Sequence, residues 1–196
     1  MTYELLTALA TFAFVTSITP GPNNLMLMTS GANFGFRRTI PHMLGVGLGF
    51  VIMVILVGAG LVSVFDAYPV SYTVLKVFSV VYLLYLAWKI ANSSAPGEAG
   101  GAASPMTFLQ AALFQWINPK AWAMALTAVT VYAPSQSLAA IGLVALVFGL
   151  VNLPSVGSWT ILGQQMRRFL TDPLQLRVFN ISMALLLVAS LAPMLF

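Results

Sequence analysis

The sequence predicts an all-α membrane protein of six transmembrane helices, arranged as two inverted three-helix repeats, with helices 1 and 4 broken near the midplane. Three observations carry this reading: a composition suited to lipid, apolar runs of bilayer length, and a proline-centred motif that recurs half a chain later. Of 196 residues, 60% are apolar and 6% charged, whereas a soluble domain is about 45–50% apolar and about 25% charged. Eight Lys or Arg and four Asp or Glu cannot solvate a globule of this size, so lipid is the main solvent. The absence of Cys excludes disulfides, thiolate metal sites and thiol redox chemistry. One His and four carboxylates argue against a side-chain metal centre. A net charge of +4 without a long basic run is a poor phosphate-binding surface, so no nucleic acid partner is expected.

A membrane-spanning helix needs about 20 mostly apolar residues. On that ruler the spans fall at residues 3–28, 39–65, 70–91, 105–132, 136–162 and 174–195. Asp66, Tyr68 and Pro69 separate the second from the third. Residues 92–104, rich in Ser, Gly and Ala with Pro96 and Glu98, read as a flexible cytoplasmic linker. The linker divides a first repeat, 1–91, from a second, 105–196. The charge-free stretch 121–166 is too long for one span, and Pro134 with Ser135 supplies the turn that splits it. The amino terminus has Glu4 in place of a basic n-region and no small-x-small cleavage site, so span 1 is expected to remain in the mature protein.

Orientation follows from the basic loop residues. Arg37, Arg38, Lys89, Arg167, Arg168 and Arg177 all fall on one side of a six-span arrangement, while the other carries Glu4, Asp66 and the turn at Pro134. Both termini are therefore expected outside the cytoplasm, in a multi-pass protein of the bacterial inner membrane.

Ser17-Ile18-Thr19-Pro20 aligns with Trp116-Ile117-Asn118-Pro119 at an offset of 99 residues (Pro20 to Pro119). Each tetrapeptide lies inside the first span of its half. Three spans per half is an odd number, so the halves enter the membrane from opposite faces, the layout of an inverted repeat. Pro20 lies about 25 Å along a helix begun at Tyr3, and Pro119 about 21 Å along one begun at Pro105.

Thr19-Pro20-Gly21-Pro22-Asn23-Asn24 is hostile to a continuous helix. Its prolines remove two donors and clash with carbonyls one turn earlier. Unpaired backbone at that depth is tolerated only against protein or a wet cavity. A kink serving structure alone is the ordinary alternative for a lone proline; a second break at the mirrored position favours function. The candidate substrate-binding residues are Thr19, Pro20, Gly21, Pro22, Asn23, Asn24, Asn118, Pro119 and Lys120. A helix N-terminus and Lys120 suit a carboxylate, and Asn side chains with freed carbonyls suit an ammonium group. An ionisable residue inside the membrane is a functional candidate by default. Snorkelling is the alternative for Lys120 and the favoured reading of Lys76. His42 reads as an interfacial structural residue, with a titrating gate as the alternative, Gln115 and Asn152 as interhelical hydrogen-bonding groups, and Gly45 with Gly49 as a close-packing pair. Pro154 is expected to kink span 5.

Together with Gly35-Phe36-Arg37-Arg38 and the Gly-rich opening of span 2, the Thr19–Asn24 motif resembles the signature of the LysE/RhtB family of amino-acid exporters. Tyr82-Leu83-Leu84-Tyr85-Leu86-Ala87-Trp88-Lys89 resembles that family's third-helix ending, and Phe114-Gln115-Trp116-Ile117-Asn118-Pro119-Lys120 its second motif. Gly47-Leu48-Gly49-Phe50 and Ala87-Trp88-Lys89-Ile90-Ala91 look most like the cysteine/O-acetylserine exporter branch. The resemblance implies export of small amino acids or their derivatives from the cytoplasm, driven by proton motive force, with the functional motifs at Thr19–Asn24 and Asn118–Lys120. Many family members carry an Asp where this chain has Phe50. That departure argues against a carboxylate proton relay and for a neutral substrate.

The resulting expectation is a secondary transporter exporting neutral amino acids or related small metabolites by alternating access, not an enzyme. No cofactor or prosthetic group is implied. The partners are a small amino-acid substrate and the lipid bilayer, with a homo-oligomer left open. Two alternatives on the same helical scaffold are an intramembrane enzyme, using Ser17 or Ser30 with Lys120 as base, and a passive channel.

Overall fold

Helix α1 (Tyr3–Ile18) is started by Thr2, whose side chain accepts from the Leu5 amide at 3.3 Å. A computed structural model of the chain describes residues 2–93, 104–133, 135 and 137–192. Pro20 and Pro22 end the first helix and start the next, α2 (Pro22–Phe34), with a 54° bend between them. Gly35 holds φ at +81°, in the region that favours glycine, and turns the chain directly into α3 (Phe36–Leu56). Expected to begin at Thr39, that helix starts three residues earlier because Gly35 makes the turn in one residue and α3 tolerates Pro41 in its second turn. A π turn (Val57–Leu61) with Gly60 at φ +99° leads into α4 (Val62–Ala67). Helix α5 (Val70–Ala91) has the bounds read from the sequence.

The second half opens with α6 (Phe108–Phe114), fixed by a capping box between Thr107 and Gln110. A 3₁₀ turn (Gln115–Ile117) and an extended Asn118 interrupt it before α7 (Pro119–Tyr132). Helix α8 (Leu138–Met166) runs through Pro154 as one 29-residue element, and α9 (Pro173–Ala189) follows, capped by Asp172. The linker reading (94–103 of 92–104), the turn at Pro134 and the end of span 6 at Leu195 lie outside the described residues.

Among the described residues the fold is all helical, without strands. Three elements are long and apolar enough to cross a membrane (Phe36–Leu61, Val70–Ala91 and Leu138–Met166), and the bent pair α1–α2, counted as one span, makes a fourth. The other two expected spans differ from uniform crossings for local reasons. The break at Asn118 divides span 4 into pieces of 7 and 14 residues, and α9 has 17.

Small residues set the closest approaches. A Cβ on Gly31 would strike the Thr160 carbonyl of α8, and one on Gly163 would strike the Met28 carbonyl of α2. Gly45 and Gly49 likewise seat α6 against α3, a Cβ on Gly49 lying 2.6 Å from the Ala112 Cα. Backbones at such distances gain dispersion contact without side-chain entropy loss. One apolar cluster joins Leu9 and Ala13 of α1, Phe50 and Met53 of α3, Ala125 and Ala128 of α7, and Val144 and Phe148 of α8. Phe50 and Phe148 meet edge-on at 5.2 Å. Asn33 of α2 and Asn180 of α9 exchange hydrogen bonds of 2.9 and 3.3 Å while fully enclosed. The outward face of α5 exposes Val74, Val77, Phe78, Val81 and Leu84, a surface for lipid rather than water.

Candidate functional site

The last carbonyls of a helix have no partner within it, and at the end of α1 every one is met by another group. The Thr19 amide donates to Val15 O at 3.1 Å, and the Thr19 hydroxyl to Thr16 O at 3.1 Å. Asn24 Nδ2 donates to Ser17 O and to Thr19 O, both at 2.8 Å. Trp159 Nε1, from α8, donates to Ile18 O at 3.0 Å. Lys120, from the second break, donates to Thr19 O at 2.7 Å, Thr19 Oγ1 at 2.9 Å and Pro20 O at 3.3 Å. The first break is thus closed by side chains from three other helices, and the second break supplies its cation. An ammonium group at the carbonyl end of a helix also meets the negative pole of the helix dipole.

The second break is tied by the same logic. Asn118 caps α7 by accepting from the Lys120 amide at 3.1 Å, and Trp122 Nε1 donates to Trp116 O at 2.8 Å. Asn23 and Gln115 clasp each other across the two breaks, Asn23 Nδ2 donating to Gln115 Oε1 at 2.8 Å and Gln115 Nε2 to Asn23 Oδ1 at 3.2 Å. Helices α2 and α7 both begin here, each with proline as its first residue. Two positive helix poles therefore converge on one place.

That place is a small polar cleft. Five of the nine residues singled out by sequence line it: Gly21, Asn23, Asn24, Asn118 and Lys120. Thr19 and Pro20 stand at its exposed edge as acceptors for Lys120, while Pro22 and Pro119 shape the helix starts behind it. Sequence reasoning assigned the lysine to an incoming carboxylate and the freed carbonyls to an incoming ammonium; here the lysine and the carbonyls hold each other. Each group satisfies the other's hydrogen-bonding demand. Gly21 makes this possible, since a Cβ there would lie 2.7 Å from Lys120 Cδ and 3.3 Å from its Nζ.

Ser17, Phe50, Met124 and Asn152 are among the other lining residues and were not assigned to the site by sequence. Ser17 belongs to the repeated tetrapeptide, and Asn152 is a lone amide in an apolar run, so signals for both were present. Gln115 and Asn152 do make the interhelical bonds expected of them, the latter from Nδ2 to Ser17 Oγ at 3.3 Å. Asn152 Oδ1 is buried without a partner, a state that costs about 1–3 kcal/mol. The space open to the centre of a water is about 20 Å³, against the roughly 10–15 Å³ that one water requires. The cleft is therefore closed to anything as large as an amino acid in this conformation.

His42 is 1% exposed, and neither ring nitrogen has a partner. Gly45, one turn on, draws α6 so close that this end of α3 is enclosed.

The family described as LysE type translocator matches residues 14–191. The chain belongs to this family. It is 32% identical over 190 residues to the cysteine/O-acetylserine efflux proteins of Escherichia coli (strain K12) and Shigella sonnei (strain Ss046), and 31% identical to that of Escherichia coli O139:H28 (strain E24377A / ETEC). Each match covers 96% of this chain and 96% of the relative. No solved structure matches. The chain is thus a translocator rather than an enzyme, and its apolar helices are those of a multi-pass membrane protein.

Proposed function

We propose that this translocator exports neutral amino acids or closely related small metabolites across the bacterial inner membrane, with both termini outside the cytoplasm. The observation that carries the reading is the meeting of the two broken helices, with Lys120 of one bonded to the freed carbonyls of the other. A zwitterion needs one anion-binding and one cation-binding group. Lys120 and the N-termini of α2 and α7 supply the first. The unpartnered Asn152 Oδ1, with the carbonyls that Lys120 would release, supplies the second. The carried molecule takes over both partners of an existing pair, so it opens the clasp without stranding either group.

Phe50 lines the cleft where many members of the family carry Asp. No carboxylate lines the described cleft to neutralise a cationic side chain, which favours a neutral substrate. The relatives' names specify cysteine and O-acetylserine, both small neutral amino acids. Movement follows alternating access: the halves 1–91 and 105–196 rock about the paired breaks, and the clasp of Lys120 with Thr19 closes between crossings.

Counterflow in proteoliposomes tests this. Radiolabelled O-acetyl-L-serine, L-cysteine, L-serine and L-lysine are offered outside vesicles loaded with the same unlabelled compound. Saturable, trans-accelerated uptake of the neutral compounds with lysine excluded is expected. Preference for lysine, or non-saturating flux without trans-acceleration as in a channel, overturns the proposal.

A further inference from the structure

One face of α2 links the cleft to a second cavity. Asn23, Met26, Ser30 and Phe34 follow the 3–4–4 spacing of a single helical stripe. Asn23 lines the cleft at the breaks, and Met26, Ser30 and Phe34 line the other cavity. From Asn23 to Ser30 the rise is about 10 Å. Met26 lies between, 4% exposed and packed with Leu83, Leu86, Phe114 and Ile117. A methionine is an adaptable plug at such a position.

The second cavity has about 70 Å³ open to the centre of a water, against about 20 Å³ at the breaks. Thr29, Ser30 and His42 form one wall, with Lys89, Ser93 and Ser104 on others. Ser30 shares its hydrogen bond with Thr39 at 2.9 Å. His42, fully enclosed, has two ring nitrogens without a partner. Unpaired buried groups are costly, and an uncharged imidazole offers one donor and one acceptor. With Lys89 also on its lining, the cavity can offer a cation to a carboxylate, an acceptor to an ammonium, and hydroxyls that serve either. Under the orientation proposed above, this cavity opens toward the cytoplasm.

We infer that this cavity is a second binding site for the carried neutral amino acid, occupied on the cytoplasmic side before the clasp at the breaks opens. The inference rests on the export reading. His42 and Ser30 hold the amino acid, Lys89 draws its carboxylate inward, and Met26 must swing aside for it to move one helical stripe along α2 to Asn23.

The chain has no cysteine, so a single Ser104→Cys reports on this cavity alone. Its modification by a cationic methanethiosulfonate reagent is timed in nanodiscs with O-acetyl-L-serine or L-serine, whichever the wild-type protein carries in counterflow. A ligand at ten times its dissociation constant slows modification about tenfold. The slowing is expected to persist in Lys120→Ala and to disappear in His42→Gln and in Ser30→Ala, each checked as monodisperse. Absence of protection overturns the second site, as does protection that vanishes with Lys120→Ala or survives both His42→Gln and Ser30→Ala. If the wild-type protein carries no amino acid in counterflow, the export reading falls and this site with it; carriage without protection removes this site alone.

Discussion

Gly21→Ala is the sharpest perturbation of the clasp. Gly21 has φ −179° and ψ 177°, extended backbone that alanine adopts freely, so the substitution leaves the chain path intact. The new methyl would sit 2.7 Å from Lys120 Cδ, and the flexible lysine, not the backbone, must yield. Its ammonium group then leaves Thr19 O, Thr19 Oγ1 and Pro20 O. Hydrogen bonds to a charged group contribute about 1.5–3 kcal/mol, equivalent to roughly 10- to 150-fold in an equilibrium. Melting in detergent is expected to fall by about 3–12 °C, at roughly 2–4 °C per kcal/mol for a chain of this size. A double-mutant cycle isolates the cause. In a Lys120→Ala background the atom struck is gone, so adding Gly21→Ala is expected to change melting by about 0.5 kcal/mol or less. Equal effects of Gly21→Ala in the two backgrounds would refute the claim that this glycine exists to seat the lysine.

Further predictions concern packing, selectivity and orientation. Gly163→Ala and Gly31→Ala drive a methyl into the carbonyl of the facing helix and are expected to cost at least about 1–3 kcal/mol each. Gly142→Ala, with nothing within 4 Å, is expected to be neutral or stabilising by up to about 1 kcal/mol; melting curves compare the three. Asn33→Ala strands Asn180 Oδ1, while Asn180 Nδ2 keeps its bond to Ser93 O, and is expected to cost about 1–3 kcal/mol, read in the same assay. Phe50→Asp places a carboxylate in the cleft wall and is expected to raise L-lysine counterflow relative to L-serine; an unchanged ratio denies that this position sets the substrate's charge. Single cysteines in the cysteine-free chain test orientation. Ser135→Cys is expected to react with an impermeant maleimide in intact cells, and Arg168→Cys only after lysis.

Much of this architecture was readable beforehand because its causes are local. The prolines at 20 and 22, and Pro119 after an Asn cap, can only interrupt helices, and the structure interrupts them there. The bounds of α5 follow from Pro69 before it and Asn92 after it. Other features depend on what lies across the interface. Pro154 lies inside α8, which continues on both sides of it as one helix. The burial of His42 depends on neighbouring helices such as α6, which approaches closely at Gly45. The meeting of Lys120 with Thr19 spans 101 residues. The repeat at an offset of 99 pairs Thr19 with Asn118 and Gly21 with Lys120, and so does not point to this contact. Ser17 and Asn152 were not assigned to the site because a single polar residue on an apolar helix has the same appearance whether it binds a neighbour or a substrate.

The most direct measurement is the initial counterflow rate of Lys120→Met, compared with the wild type at equal amounts of inserted, monodisperse protein. Hydrogen bonds to a charged group contribute about 1.5–3 kcal/mol, so a fall of at least about 10-fold is expected. A Lys120→Met protein that carries its amino acid at the wild-type rate would contradict the account.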